Sequence, residues 1–320
     1  DNALVSNCII QRPGQLWKQG LGVEFGHCSN ATVTHCNLSQ HPSDGVSFSG
    51  VNLTFNNTVS YTSFHDFGVG GVTAPNPSLE TISDWGGVHT AHPNVTELAA
   101  HVFRNVFSNF SSFSIGGYSL YFDYGSSGCN ATQNVAYQTG SGIFFNSNGE
   151  VAGIPGSWQY LSDNIIVHDH WNPKDYNQVI KWRTLVPDVT SHRNVWYVTE
   201  TANATGDLVL FQDHSSTQKH QWDFTQWDHN LYFREGGDPS FGDTWPGGTD
   251  LAKWQQRGED QHSLVGLDPH FRNVTNFELS LDPNSPALTK LGLQQWDHSQ
   301  AGINCAAPDV TASIVCPTLV

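Results

Sequence analysis

Gly87-Val88-His89-Thr90, Leu120-Tyr121-Phe122-Asp123 and Ile143-Phe144-Phe145-Asn146 are three copies of one short apolar strand. Each is followed, after a turn, by a second strand that opens at asparagine: Asn105-Val106-Phe107, Asn134-Val135 and Asn164-Ile165-Ile166. Outward from these, Gly22-Val23-Glu24-Phe25 precedes Cys36-Asn37-Leu38, and Gly45-Val46-Ser47-Phe48 precedes Asn57-Thr58-Val59. Towards the C-terminus, Ile180-Lys181-Trp182-Arg183 precedes Asn194-Val195-Trp196, and Val209-Leu210-Phe211-Gln212 precedes Asn230-Leu231-Tyr232. An earlier half-copy is Asn7-Cys8-Ile9-Ile10. Most copies start 21 to 36 residues after the last. A unit this short cannot bury its own apolar side, so copies must stack. The repeat predicts an all-β fold, a right-handed parallel β-helix (β-solenoid), over residues 1–235.

Alternation along each strand predicts which side chains face out. Val88, Leu120, Phe122, Ile143 and Phe145 point inward, whereas His89, Tyr121, Asp123, Phe144, Asn146, Lys181 and Arg183 share an outer strip and are expected to meet solvent. A carboxylate, an imidazole, an amide, two cations and aromatic rings on one strip suit a polar, ring-shaped ligand such as a sugar. Lys181 and Arg183 are expected to keep Asp123 ionised. Asp84, just ahead of Val88, is expected to approach from the strip's edge, and two carboxylates are the minimum equipment for cleaving a glycosidic bond.

After Asn230 the pattern changes. Residues 236–320 are expected to form a C-terminal cap with a short helix near 249–257, stopped by Gly258. The chain contains no methionine and opens in mid-rung. A bare first rung exposes an edge, so a longer protein is expected, whose N-terminal part, or other copies of the chain, would cover it.

A formal charge of −16 with 13 Lys and Arg argues against nucleic acid as a partner. No apolar run is long enough for a membrane span. Nine Asn-x-Ser/Thr sequons, at Asn30, Asn37, Asn52, Asn56, Asn94, Asn109, Asn130, Asn203 and Asn273, suit a secreted or cell-surface glycoprotein. Asn30, Asn52, Asn94 and Asn130 are expected to line one corner of the stack. In that compartment six cysteines favour disulfides. Cys305 with Cys316 and Cys8 with Cys36 are the expected pairs, with the connectivity of Cys8, Cys28, Cys36 and Cys129 open. No cofactor and no metal site is expected: His168-Asp169-His170 reads as two surface histidines without a third ligand nearby.

Several segments together resemble a known group. They are Phe64-His65-Asp66-Phe67-Gly68, Asp84-Trp85-Gly86-Gly87-Val88, Leu120-Tyr121-Phe122-Asp123-Tyr124-Gly125-Ser126-Ser127-Gly128, Trp227-Asp228-His229-Asn230-Leu231-Tyr232 and the stretch Trp254 to Ser263. With the closing Asp-Pro and Asn-Ser-Pro-Ala-Leu segments, the chain resembles secreted parallel β-helix proteins of glycoside hydrolase family 141. The resemblance covers residues 1 to about 300 and implies fucosidase- or xylanase-like activity on complex polysaccharides, with Asp84 and Asp123 as catalytic acids. The sequence departs from that pattern in having Tyr124 in place of a second Asp and His89-Thr90-Ala91-His92 after Val88. The alternatives are a non-catalytic structural or glycan-binding glycoprotein that assembles into a coat or filament, and a polysaccharide lyase.

Overall fold

The computed structural model describes residues 2–11, 20–49, 55–67, 86–91, 98–110, 117–123, 126–146, 158–169, 178–183, 188–199, 209–213, 226–239, 251–256 and 258–304. For 178, 181–183, 209–213 and 253 the description covers the backbone alone.

Among the described residues the chain winds through three parallel sheets. Sheet A has eight strands, from Ala3–Ser6 to Gln226–Asp228. Sheet B has nine, from Ile9–Gln11 to Leu264–Val265, and sheet C has seven, from Val23–Gly26 to Val209–Asp213. Each strand pairs with its counterparts one turn before and after, so the fold is a parallel β-helix. The apolar strands quoted first form sheet C, the asparagine-led ones form sheet B, and a third strand of sheet A runs between them.

The turn from sheet A to sheet B explains the recurrent asparagine. At every turn a residue with φ between 48° and 58° (Asn7, His35, Tyr61, Arg104, Gln133, Asp163, Arg193 and His229) swings the chain through the corner. The next side chain points inward. Asn105, Asn134, Asn164, Asn194 and Asn230 are fully buried there. Each side-chain Nδ2 donates to a carbonyl one rung earlier, as Asn164 does to Ala131 O at 2.9 Å and Asn194 to Leu161 O at 3.1 Å. Each Oδ1 from Asn134 onward accepts the backbone N–H of the preceding asparagine, at 2.9 to 3.2 Å. A corner that would strand buried polar backbone thus becomes a continuous hydrogen-bonded column. Thr62 and Cys36 continue it towards the N-terminus, with Thr62 N–H bonded to Asn105 Oδ1 at 3.0 Å. Asn57 does not belong to the column: it opens a strand of sheet A, where its Oδ1 takes the Ala31 N–H at 2.9 Å.

Inside the coil, alternate residues of all three sheets meet. Leu38, Phe64, Phe107, Ile166 and Trp196 of sheet B face Val46, Phe48, Leu120, Phe122 and Ile143 of sheet C in one core. Phe64 stacks on Phe107 one rung later at 4.8 Å. The sheets approach closely at Gly87, where an added Cβ would lie 2.5 Å from the Phe107 ring.

The segment after the last rung does two jobs. The helix Leu251–Gln256 and the turn behind it close the stack, because buried Asp260 collects Trp254 Nε1–H at 2.9 Å, the Tyr232 hydroxyl at 3.0 Å and the last ladder asparagine, Asn230, at 3.4 Å. The chain then turns back along the outer face of sheet B. Leu279, Leu281, Ala287, Leu291 and Leu293 cover Val135, Ile165, Val167, Val195, Tyr197 and Leu231 in a second apolar cluster. Burying each large side chain contributes about 1.5–3 kcal/mol. The return continues past Asp163, which accepts the Gln294 N–H at 2.9 Å, to the first rung, where Asn304 N–H meets Asn7 Oδ1 at 3.0 Å.

Two groups of expectations require correction. Cys8 and Cys36 are both thiols. They occupy the same corner on neighbouring rungs, but equivalent positions on parallel strands project side by side, and each sulfur turns to the carbonyl two residues back, Ser6 O at 3.1 Å and Thr34 O at 3.2 Å. Cys28 and Cys129 are also unpaired thiols, and burial pushes Cys36 up to about 11 and Cys129 to about 12. Cys305 and Cys316 lie outside the described residues. Among the sequons, Asn30, Asn56 and Asn109 are exposed, Asn37, Asn130 and Asn273 half-buried, and Asn52, Asn94 and Asn203 outside the described residues. Asn130 is not at the corner of Asn30: it sits within a strand of sheet A, paired with His101 and Tyr160.

Candidate functional site

Register on sheet C places the predicted residues in two outer columns. Glu24, Ser47, His89, Tyr121, Phe144, Lys181 and Gln212 follow one another in the first. Ser49 and Ala91 are neighbours in the second, and so are Asn146 and Arg183. Asp123 directly follows the strand Tyr118–Phe122, and its N–H reaches back to Thr90 O at 2.8 Å.

The strip does not lie open to water as alternation suggested. Tyr121 and Phe144 are 1% exposed, Asn146 3% and Asp123 6%. Outward parity sets the face on which a side chain stands, not what lies above it. His89, with 16% of its side chain exposed, is where this cluster meets solvent most.

Its polar groups are connected. Asn146 Nδ2 donates to Asp123 Oδ1 at 2.8 Å and to the Tyr121 hydroxyl at 3.0 Å. His89 Nε2 lies 3.6 Å from Asp123 Oδ2. The rings of His89, Tyr121 and Phe144 stack on successive rungs, His89 on Tyr121 at 4.7 Å and Tyr121 on Phe144 at 5.0 Å. Tyr118 completes this aromatic group.

Asp44 belongs to the site and was missed by the sequence reading. It stands two residues before the strand Val46–Ser49, one rung below His89, and is 5% exposed. Its Oδ1 takes the Gly86 N–H at 2.7 Å, and its Oδ2 pairs with His89 Nδ1 at 2.9 Å. The legible signal was an aspartate preceding the strand that stacks beneath His89, but serine-aspartate-glycine also reads as an ordinary turn.

His89 therefore sits between two carboxylates. Burial alone disfavours its charged form, but the Asp44 and Asp123 carboxylates outweigh that cost and raise the imidazole to about 10. His89 is an imidazolium at neutral pH, with Asp44 Oδ2 at 2.9 Å from one ring nitrogen and Asp123 Oδ2 at 3.6 Å from the other. The side chains of Lys181 and Arg183, and all of Asp84, lie outside the described residues.

The raised value carries a stability signature. A histidine whose folded value exceeds its unfolded 6.5 contributes fully below that pH, and the contribution fades as pH rises through about 10. Thermal midpoints measured across this window should fall more steeply for the wild type than for His89→Gln. Parallel curves would show that the histidine is not held charged by its two partners.

His168, read as a surface residue, is 1% exposed and shares the inward face of sheet B with Ile166, beside Val198 of the next rung, and His170 lies outside the described residues. Among the described residues no helix is long and apolar enough to cross a membrane.

No family model matches this chain, and no curated protein does. Among solved structures, a polygalacturonate lyase fused with a self-assembling amphipathic peptide is similar at TM-score 0.48 and 11% identity, over 86% of this chain and 69% of the other. A likeness at that level bears on neither family nor chemistry.

Proposed function

We propose that this chain is a secreted carbohydrate-active enzyme, a glycoside hydrolase of fucosidase- or xylanase-like type, that cleaves a complex polysaccharide with Asp123 and Asp84. The observation that carries this reading is the setting of Asp123: a buried carboxylate at the end of a rigid strand, hydrogen-bonded by Asn146, with the His89 imidazolium beside it and an aromatic stack alongside. The resemblance to glycoside hydrolase family 141 supports the same residue. Asp84 precedes by two positions Gly86, whose amide N–H Asp44 accepts at 2.7 Å. One carboxyl group would protonate the glycosidic oxygen. The other would activate water or attack the anomeric carbon, while Tyr121, Phe144, Asn146, Lys181 and Arg183 bind the sugar.

The test is incubation of the purified chain with plant and algal polysaccharides in water enriched in heavy oxygen. Saturated products carrying the label at the new reducing end are expected. Unsaturated, unlabelled products would assign lyase chemistry instead. Glycan binding without cleavage would favour the non-catalytic glycoprotein.

A further inference from the structure

We propose that Asp228, His229 and His262 form a binding site for one divalent transition-metal cation of the zinc class, clasping the last rung to the turn that closes the stack.

The residues converge from separate segments. Asp228 ends the last strand of sheet A, His229 occupies the following corner, and His262, 34 positions beyond Asp228, belongs to the closing turn. Folding fixes the carboxylate: Asp228 Oδ1 accepts the backbone N–H of His229 at 2.8 Å and of His262 at 2.7 Å. Its second oxygen, Oδ2, faces His229 Nδ1 at 3.2 Å and His262 Nδ1 at 2.7 Å. One donor atom from each residue lies within 4.8 Å of the other two.

Two imidazoles and a carboxylate are the donor set of zinc and its neighbours rather than of calcium, which takes six to eight oxygens. The imidazole side chains are 49% and 68% exposed, so an ion reaches them from solvent and small ring rotations close the coordination. A hollow of about 300 Å³, lined by His192, Asp228, His229 and Glu259 among others, adjoins the cluster. It leaves room for the water or anion that completes a tetrahedral set. The site stands on sheet A and the closing turn, apart from the sheet C strip. Nothing in local spacing announces it, because neither histidine forms a ligand pair with the other until the solenoid is closed.

Zinc sulfate titrated into the chelator-stripped full chain at neutral pH should be taken up at one equivalent and should raise the thermal midpoint. His262→Ala, or His262→Gln if the first variant folds poorly, should weaken uptake at least about tenfold and abolish the thermal shift. The metal-free midpoint should stay unchanged. His229→Asn, which tolerates the corner's left-handed backbone, should do the same. With 16 histidines in the chain, equal uptake by the wild type and these variants would place zinc elsewhere and overturn the site, as would no uptake at all.

Discussion

Asp123→Asn should lower kcat on the glycan that the wild type cleaves by roughly 10²–10⁴-fold, the usual cost of losing a positioned acid or base. The substitution is nearly isosteric, and the new side chain keeps an oxygen where Asn146 Nδ2 now donates at 2.8 Å. The fold and the aromatic stack should persist, so KM should change far less than kcat. His89 loses one of its two carboxylates and keeps Asp44. Its pKa should therefore drop from about 10, which a histidine-resolved titration by NMR would detect. Equal fall in kcat and rise in KM would assign Asp123 to sugar binding rather than proton transfer. Undiminished turnover would remove it from the reaction.

Asn164→Ala should cost about 3–5 kcal/mol of stability, since each buried polar group left unpaired costs about 1–3 kcal/mol. Asn164 serves three neighbours at once. It donates to Ala131 O and to Asn194 Oδ1, and it accepts from the backbone and side chain of Asn134. The truncation leaves the Ala131 carbonyl and the Asn134 amide without these bonds at a corner where Asn134 and Asn164 are 0% exposed. Stacked repeats need not unfold in one step, so thermal midpoints should be joined by amide exchange, with loss of protection centred on the corners of Asn134, Asn164 and Asn194. A comparable truncation at exposed Asn284, whose backbone is not left-handed, should change stability by less than about 0.5 kcal/mol. A loss that small at Asn164 would mean that water replaces the ladder at little cost.

The fold was legible because every rung restates the same local pattern. Strand alternation identified the interior residues of sheet C, and the recurrent asparagine marked the corners, though at Asn57 the count locked onto a strand of sheet A. Thr62 fills the ladder there, and a threonine carries no distinctive mark in a chain rich in Ser and Thr. The candidate site was half legible. Parity brought His89, Tyr121, Phe144 and Asn146 to one strip, with Asp123 at its edge. The disulfide expectation failed at Cys8 and Cys36 because one-rung proximity does not aim two sulfurs at each other.

What the sequence determined by itself is therefore the coil and its two-faced strands, because the direction of a side chain along a strand depends only on its neighbours in the chain. The tertiary structure decided what stands over and beside each face. It set Asp44 against His89, laid the Leu279–Leu293 return over sheet B, buried Tyr121, Asp123, Phe144 and Asn146 where solvent was expected, and carried His262 to Asp228. Those contacts depend on stacking register and on the path of the returning chain, and alternation within a strand encodes neither.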